Sequence, residues 1–194
     1  MRTDEVTRLR SGFRAADLVF GEDSKRIVKV LATQTGQTFI CGQHQLVLND
    51  PQMNPWKTRA TAIAAAPYFG NGVDGGAADV VEKLRAAMQK SIAGSAKLKE
   101  VADQNKLLLI AYEGGQHVLS KANLINPKPE MHDLYAEYLK EMSKFYSHFC
   151  HYAHVGKCGE RGAWGCMEKT GQPLADAPKY RALVEWSKEH PRGK

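Results

Sequence analysis

The chain has 194 residues, 43% hydrophobic and 25% charged, the make-up of one ordinary globular domain with a sizeable core. Its formal net charge is +6. The basic residues, Arg8, Arg10, Arg14, Lys25, Arg26, Lys83, Arg85, Lys97 and Lys99 among them, are scattered alongside acidic ones with no aromatic-interleaved run, which argues against a nucleic-acid partner. No apolar run approaches the roughly 18 residues that span a bilayer, so no membrane partner is expected.

Along the chain, Leu9, Phe13, Ala16 and Phe20, with Val6, recur at alternating spacings of three and four, which predicts a helix over residues 4–20 with Gly21 as its stop. RIVKVLATQ, residues 26–34, reads as a strand by its β-branched content. A weaker helix follows over residues 38–48, then a loop punctuated by Pro51 and Pro55. Residues 58–68, TRATAIAAAPY, read as an alanine-rich strand whose small side chains suit a crowded interior. A long helix over residues 77–105 carries the stripe Val81, Leu84, Met88, Ile92, resumed by Leu98 and Val101.

The next stretch, LLLIAYEGGQHV at 107–118, organises the rest. Its continuous apolar run predicts a strand buried on both faces, of the kind found in parallel sheets wrapped in helices. Glu113 falls where the strand ends. A carboxylate there is costly unless solvated, paired or used. Gly114 and Gly115 permit a sharp turn and a close approach, and Gln116 and His117 add a neutral donor–acceptor and a titratable ring. Ligands in α/β proteins bind at the carboxyl ends of strands. Glu113 is therefore either part of a site or a surface carboxylate at an ordinary strand–loop junction.

Residues 123–129 read as loop, and Pro129 opens a helix whose stripe of Met131, Leu134, Tyr135, Tyr138, Leu139, Met142 and Phe145 is ordinary core. Residues 146–153 read as an aromatic-rich strand, and residues 154–163 as a Gly- and Lys-rich insertion before Trp164 and Gly165. A last helix spans residues 178–189, with Tyr180, Leu183, Val184 and Trp186 facing inward and Asp176 placed to cap it. The alternation implies a single domain over residues 1–194 with a parallel sheet and right-handed crossovers. An open doubly wound sheet and part of a (β/α)8 barrel compete. A full barrel needs roughly 250 residues, and no Gly-rich fingerprint follows the first strand.

AAAPYFG, LLLIAYEGGQHV, PEMHDLYAEYLKEM, AWGCMEKTGQ and APKYRALVEW occur in that order. Together they resemble the C-terminal half of a bacterial family similar to clan A glycoside hydrolases, whose members are described as cellulose-binding-domain-containing proteins or secreted glycosidases. The resemblance covers nearly the whole chain, and YEGGQH is its most specific piece. It implies the C-terminal half of a (β/α)8 TIM barrel, strand–helix units five to eight, and retaining hydrolysis of a β-linked polysaccharide. It makes Glu113 the nucleophile, with the second carboxyl about 5–5.5 Å away across the scissile bond.

By the same resemblance Tyr68 hydrogen-bonds the nucleophile or a sugar hydroxyl, Trp164 stacks on a sugar ring, and Gln116 and His117 line the cleft. A packed Tyr, a core Trp and a capped loop His are the plain alternatives, and Gln34 is a weaker polar candidate. The family's acid/base Glu would end a strand preceding residue 4. The resemblance therefore implies that this chain alone is inactive, that Met1 is not the native start, and that the complete protein is secreted; if Met1 is the start, the chain is cytoplasmic. Glu160 and Glu168 carry no supporting motif. No metal or organic cofactor is implied. The implied partners are a polysaccharide or oligosaccharide, and a missing N-terminal half or a second copy of the chain. A non-catalytic carbohydrate-binding or structural barrel is the alternative.

His148, Cys150, His151, His154, Cys158 and Cys166 cluster in sequence, as zinc ligands do. No Cys-x2-Cys pair exists, and alternation on a strand would turn His151 away from His148 and Cys150. A Cys158–Cys166 bridge, a zinc site and free thiols all remain, free thiols being the reading the spacing favours.

Overall fold

The computed structural model describes residues 3 to 191. Four strands, β1 (Val30–Ala32), β2 (Ala62–Ala65), β3 (Leu108–Ala111) and β4 (His148–Phe149), form one sheet in the order β1-β2-β3-β4. Every neighbouring pair is parallel. The helices are α1 (Thr3–Phe20), α2 (Thr38–Asn49), α3 (Val80–Gln104), α4 (Ala122–Ile125), α5 (Glu130–Met142) and α6 (Pro178–Glu189), with a 3-10 turn at Leu174–Asp176. The chain is an α/β protein with a four-stranded parallel sheet and helices. Its consecutive strand order contains no reversal and is compatible with half of a barrel.

The strands are shorter than the sequence predicts. β2 stops before Pro67, which has no N–H for the ladder. Ahead of β1, the Lys29 side chain is drawn into a buried ion pair with Asp17, although its backbone still binds Thr61. The ladder stops after Phe149 because β3 itself ends at Ala111; the Cys150 and Tyr152 N–H groups still donate to the Ala111 and Gly114 carbonyls. Residues 123–129 are not simple loop: they include most of α4 and a turn. Asp176 does not cap α6; its N-cap is Ala177, with no side-chain cap hydrogen bond.

The core lies on one face of the sheet. Leu31, Ile63 and Leu109, aligned in register, pack with Ala65 and Ala111 against α3 and α5 through Leu84, Met88, Leu98, Leu134 and Tyr138. The other face has no such layer. Leu108 is 50% exposed, Val28 54% and Tyr112 46%, and Ile110 is half-buried. β3 is therefore not buried on both faces, because helices cover only one. Ala62 and Ala64 are 0% and 2% exposed on the bare face, since their register neighbours Val30, Leu108 and Ile110 overhang their small side chains.

The predicted stripe of α5 is buried from Met131 to Met142, with Phe145 just past the helix end and half-buried. In α1, Phe13 is buried and Gly21 ends the helix at φ 86°, but Phe20 is exposed and the buried position is Asp17. The Val6 side chain lies outside the described residues. In α6 the fully buried positions are Pro178, Lys179 and Ala182, while Tyr180, Leu183, Val184 and Trp186 are only half-buried.

Candidate functional site

Three successive strands deliver aromatic and polar side chains to one end of the sheet, the carboxyl end. Tyr68 follows β2, Tyr112 to His117 follow β3, and Tyr152 follows β4. The turn after β3 is fixed by two buried tyrosines one helical turn apart on α5. The Gln116 backbone N–H donates to the Tyr135 hydroxyl at 2.9 Å. The Tyr138 hydroxyl donates to the Pro67 carbonyl and accepts from the Gly115 N–H. The tyrosines of the core stripe thus clamp the loop after β2 to the loop after β3. Burial pushes both phenols well above their ordinary range, so they remain neutral donors. The glycines are required by space. A Cβ at Gly114 would come within 2.7 Å of Phe149 Cζ, and Gly115 sits at φ 136° with His151 Nε2 at 3.0 Å from where a Cβ would stand.

Replacing Tyr138 with phenylalanine should leave the Gly115 N–H without its partner and the buried Pro67 carbonyl with only its bond from the Ser91 hydroxyl. The expected cost is about 1–3 kcal/mol, read as a lowered midpoint with unchanged slope in urea unfolding.

Within this frame four of the five site residues expected from the sequence come together. Burial, then the Glu113 charge and a hydrogen bond to its carboxylate, raise the Tyr68 phenol. The phenol therefore stays protonated beside the Glu113 carboxylate. Tyr112 is raised by burial and by the same carboxylate. The Tyr68 ring stands 5.1 Å from the His117 ring, and His117 stands 5.6 Å from Trp164. Trp164 Nε1–H donates to His117 Nδ1 at 3.0 Å, which places the proton of a neutral His117 on Nε2. Glu113, Tyr68, His117 and Trp164 are all half-buried and follow one another in a row through these contacts.

The fifth expected residue, Gln116, does not line this row. It is fully buried, and its amide points toward Lys179 and Ala163. Alternation explains this: if His117 faces the cleft, its neighbour faces inward. Gln34 is exposed in the turn after β1, where its carbonyl accepts from the Gln37 N–H. Trp164 does not follow β4 directly. It arrives on an excursion in which Ala153 pairs with Trp164 and Cys166, and Val155 with Met167. The insertion expected at 154–163 is the outer part of this excursion. The indole rests against Gly162, where a Cβ would come within 2.2 Å of Cζ3.

The residue past the end of β4 that reaches this cluster is Tyr152, whose backbone N–H donates to the Gly114 carbonyl at 3.0 Å. Sequence reasoning passed over Tyr152 as one more strand aromatic. It also passed over Lys179, whose signal was a lysine three residues before Ala182 on the inward stripe of α6.

The histidines and cysteines do not converge. His151 faces the Tyr135 hydroxyl at 3.2 Å, and His154 lies 5.6 Å from the Tyr180 ring. Burial first, then the Lys179 charge, holds His151 down to about 4. Among the described residues no group of three or more His, Cys, Asp or Glu side chains is placed to hold a metal ion. Cys41, Cys150, Cys158 and Cys166 are all free thiols. No described helix is long and apolar enough to cross a membrane. No family model, curated protein or solved structure matches the chain.

Proposed function

We propose that the row is a sugar-binding subsite of a retaining glycoside hydrolase acting on a β-linked polysaccharide, with Glu113 as the nucleophile. The observation that carries this reading is the continuity of Glu113, Tyr68, His117 and Trp164 at the carboxyl ends of parallel strands. A carboxylate held by a phenol beside an aromatic wall matches what a glycosyl-enzyme mechanism needs. The Tyr68 hydroxyl orients one oxygen of Glu113, and the other is free to attack the anomeric carbon from below the ring. Trp164 and His117 offer apolar faces to the sugar. The leaving oxygen must be protonated by a second carboxyl about 5–5.5 Å away on the opposite face. In this reading that group stands on the other wall of a (β/α)8 barrel, of which these four strands form one half.

The experiment bypasses the second carboxyl. A 2,4-dinitrophenyl 2-deoxy-2-fluoro-β-glycoside has a leaving group that needs no proton, and the fluorine slows release of the covalent intermediate. Incubation with the gluco, xylo, manno and galacto forms should give one mass increment of a fluoroglycosyl group, mapped by peptide mass spectrometry to Glu113 and lost in Glu113→Gln. No adduct with any of the four, together with calorimetric binding of a β-linked oligosaccharide, would favour a second reading: a non-catalytic carbohydrate-binding barrel. That reading draws on Glu113 being the carboxylate whose charge acts on both Tyr68 and Tyr112, with its catalytic counterpart still to be supplied. Neither adduct nor binding would sink both.

A further inference from the structure

His132 lies in the first turn of α5, its side chain 18% exposed, and both of its ring nitrogens face carboxylates. Nδ1 lies 2.9 Å from Asp133 Oδ1 on the same helix. Nε2 lies 2.7 Å from Glu185 Oε2 on α6. A neutral imidazole has one N–H and one lone pair, so one nitrogen would turn its lone pair on a carboxylate oxygen. Only the imidazolium donates at both. The arrangement is therefore that of the charged ring.

The second half of α6 has little else to hold it. The fully buried residues of the helix, Pro178, Lys179 and Ala182, all lie in its first half. Beyond them Leu183, Val184 and Trp186 are half-buried, and Ser187 to His190 are exposed. The helix packs on α5 rather than on a strand. Leu183, Trp186 and His190 line a groove together with Met142 of α5 and Phe149 of β4. Among the described residues, His132 to Glu185 is the one side-chain hydrogen bond that joins α5 to α6.

We propose that His132 is a proton-operated clasp that holds the second half of α6 on α5 and thereby sets one wall of the groove beside β4. Protonated, the ring donates to both carboxylates and carries the charge that attracts Glu185 across the helices. Neutral, it keeps one of the two bonds and loses that attraction, and charge-assisted hydrogen bonds are the stronger kind. Glu185 then has a cation left on its own helix, since Arg181 Nε lies 3.9 Å from its Oε1. The clasp stands without the sugar-site reading, which concerns the other side of the molecule's chemistry.

The charged groups that act on the ring are Asp133 on its own helix and Glu185 and Arg181 on α6. Burial lowers the ring's pKa and Arg181 adds to that, but the bonds to Asp133 and Glu185 outweigh both and raise it above the ordinary 6.5. The sign in pH follows. The clasp is complete below the ordinary value and is lost as pH rises through the higher folded value. Acid tightens α6 and mild alkali loosens it. In the step the imidazolium proton passes to solvent, and no other group changes charge.

The test is an NMR titration of the isotope-labelled full chain from about pH 5 to about 9, across the range in which histidine changes charge, with hydrogen exchange of the α6 amides at both ends. The His132 ring should titrate above 6.5, and at lower pH in both Asp133→Asn and Glu185→Gln. Protection of the amides of residues 183–189, corrected for the intrinsic effect of pH, should fall through the same midpoint while Leu134 and Tyr138 of α5 keep theirs. For each pH unit by which the wild-type midpoint exceeds that of the chain carrying both substitutions, the fall should be about tenfold. Trp186 Nε1–H reports on the groove wall. His190 stacks on Trp186 with ring centroids 3.7 Å apart, so its own titration must be separated. The Trp186 step should therefore remain in His190→Gln and vanish in His132→Gln.

A His132 midpoint at or below 6.5 would overturn the proposal, as would α6 protection that stays level across the His132 transition. A protection step that persists in His132→Gln would do the same. Falling protection with a flat Trp186 signal would overturn the groove's part in it. If His132→Gln does not fold, the wild-type midpoint against that of Glu185→Gln decides. No sugar is involved, so failure here is separate from failure of the hydrolase reading.

Discussion

Replacing Asp17 with alanine should cost the fold about 3–5 kcal/mol, enough to unfold a domain of ordinary stability. Asp17 and Lys29 form an ion pair whose side chains are 2% and 6% exposed. The Thr58 hydroxyl donates to the second carboxylate oxygen. The pair ties α1 to the residues entering β1 and β2, so it fastens the first helix to the sheet. Burial opposes the charge on Asp17, but the hydrogen bonds from Lys29 and Thr58 outweigh it and hold the carboxyl below its ordinary range. Alanine would leave the Lys29 ammonium buried with no counter-charge, and that uncompensated charge is the source of the cost.

The double variant Asp17→Leu, Lys29→Met removes both charges and should recover most of the loss, because a buried ion pair contributes little beyond an apolar pair of similar volume. Urea unfolding of the two single variants and the double one measures the coupling. The sign in pH follows from the lowered carboxyl. The stabilisation from ionised Asp17 is fully present above its unfolded value and is lost as pH falls through the lower folded value. The wild type should therefore lose stability on acidification more steeply than the double variant. Equal slopes would mean that the pair contributes no pH-linked stability.

The isolated chain should sediment at micromolar concentration as a dimer or larger species and melt without a sharp monomeric transition. Two edges, β1 and β4, carry unpaired backbone groups. Beside β4 runs a groove of about 910 Å³, lined by Phe149, Leu183 and Trp186 among others, at the position a fifth strand would take under α6. All strands run the same way, so under the half-barrel proposal a two-fold axis would set β4 of each copy against β1 of the other and satisfy both edges at once. The same closure would give the bare face its opposite wall. A separately made complementary half would do so equally, and mixing with it would dissolve the self-association. A well-behaved monomer with a sharp melt would mean that the sheet is self-sufficient and would remove the half-barrel reading.

Much of this architecture was legible from periodicity. The long stripes of α3 and α5 and the apolar runs of β2 and β3 each mark an element that buries one side, and burial is what such patterns record. The lengths of the strands were not legible, because a ladder ends where a neighbour ends, and the neighbour is set by tertiary structure. β4 is the clearest case: residues 146–153 alternate and are aromatic-rich, yet only His148–Phe149 pair. The placement of Glu113, Tyr68 and His117 in one row was legible because each sits beside a strand end and a turn. Tyr152 was hidden in what read as strand. Lys179 was hidden by its own chemistry, since a lysine on a helix reads as a solvated charge. The tyrosines of α5 were recognised as core, but their hydroxyls' second task, clamping two loops, depends on contacts across 19 and 71 residues.

Strand order bears on how the molecule comes into being. Each strand pairs only with its immediate predecessor and successor, so every pairing closes a loop of about 30–46 residues. The entropy of closure grows only as the logarithm of that length, so the three closures are nearly equal in cost. No strand waits for a distant one to be made. During synthesis, β1 and β2 can join as soon as the segment through β2 leaves the ribosome, and each later unit can add to a finished edge. The growing edge is always the most recent strand. In the released chain that edge is β4.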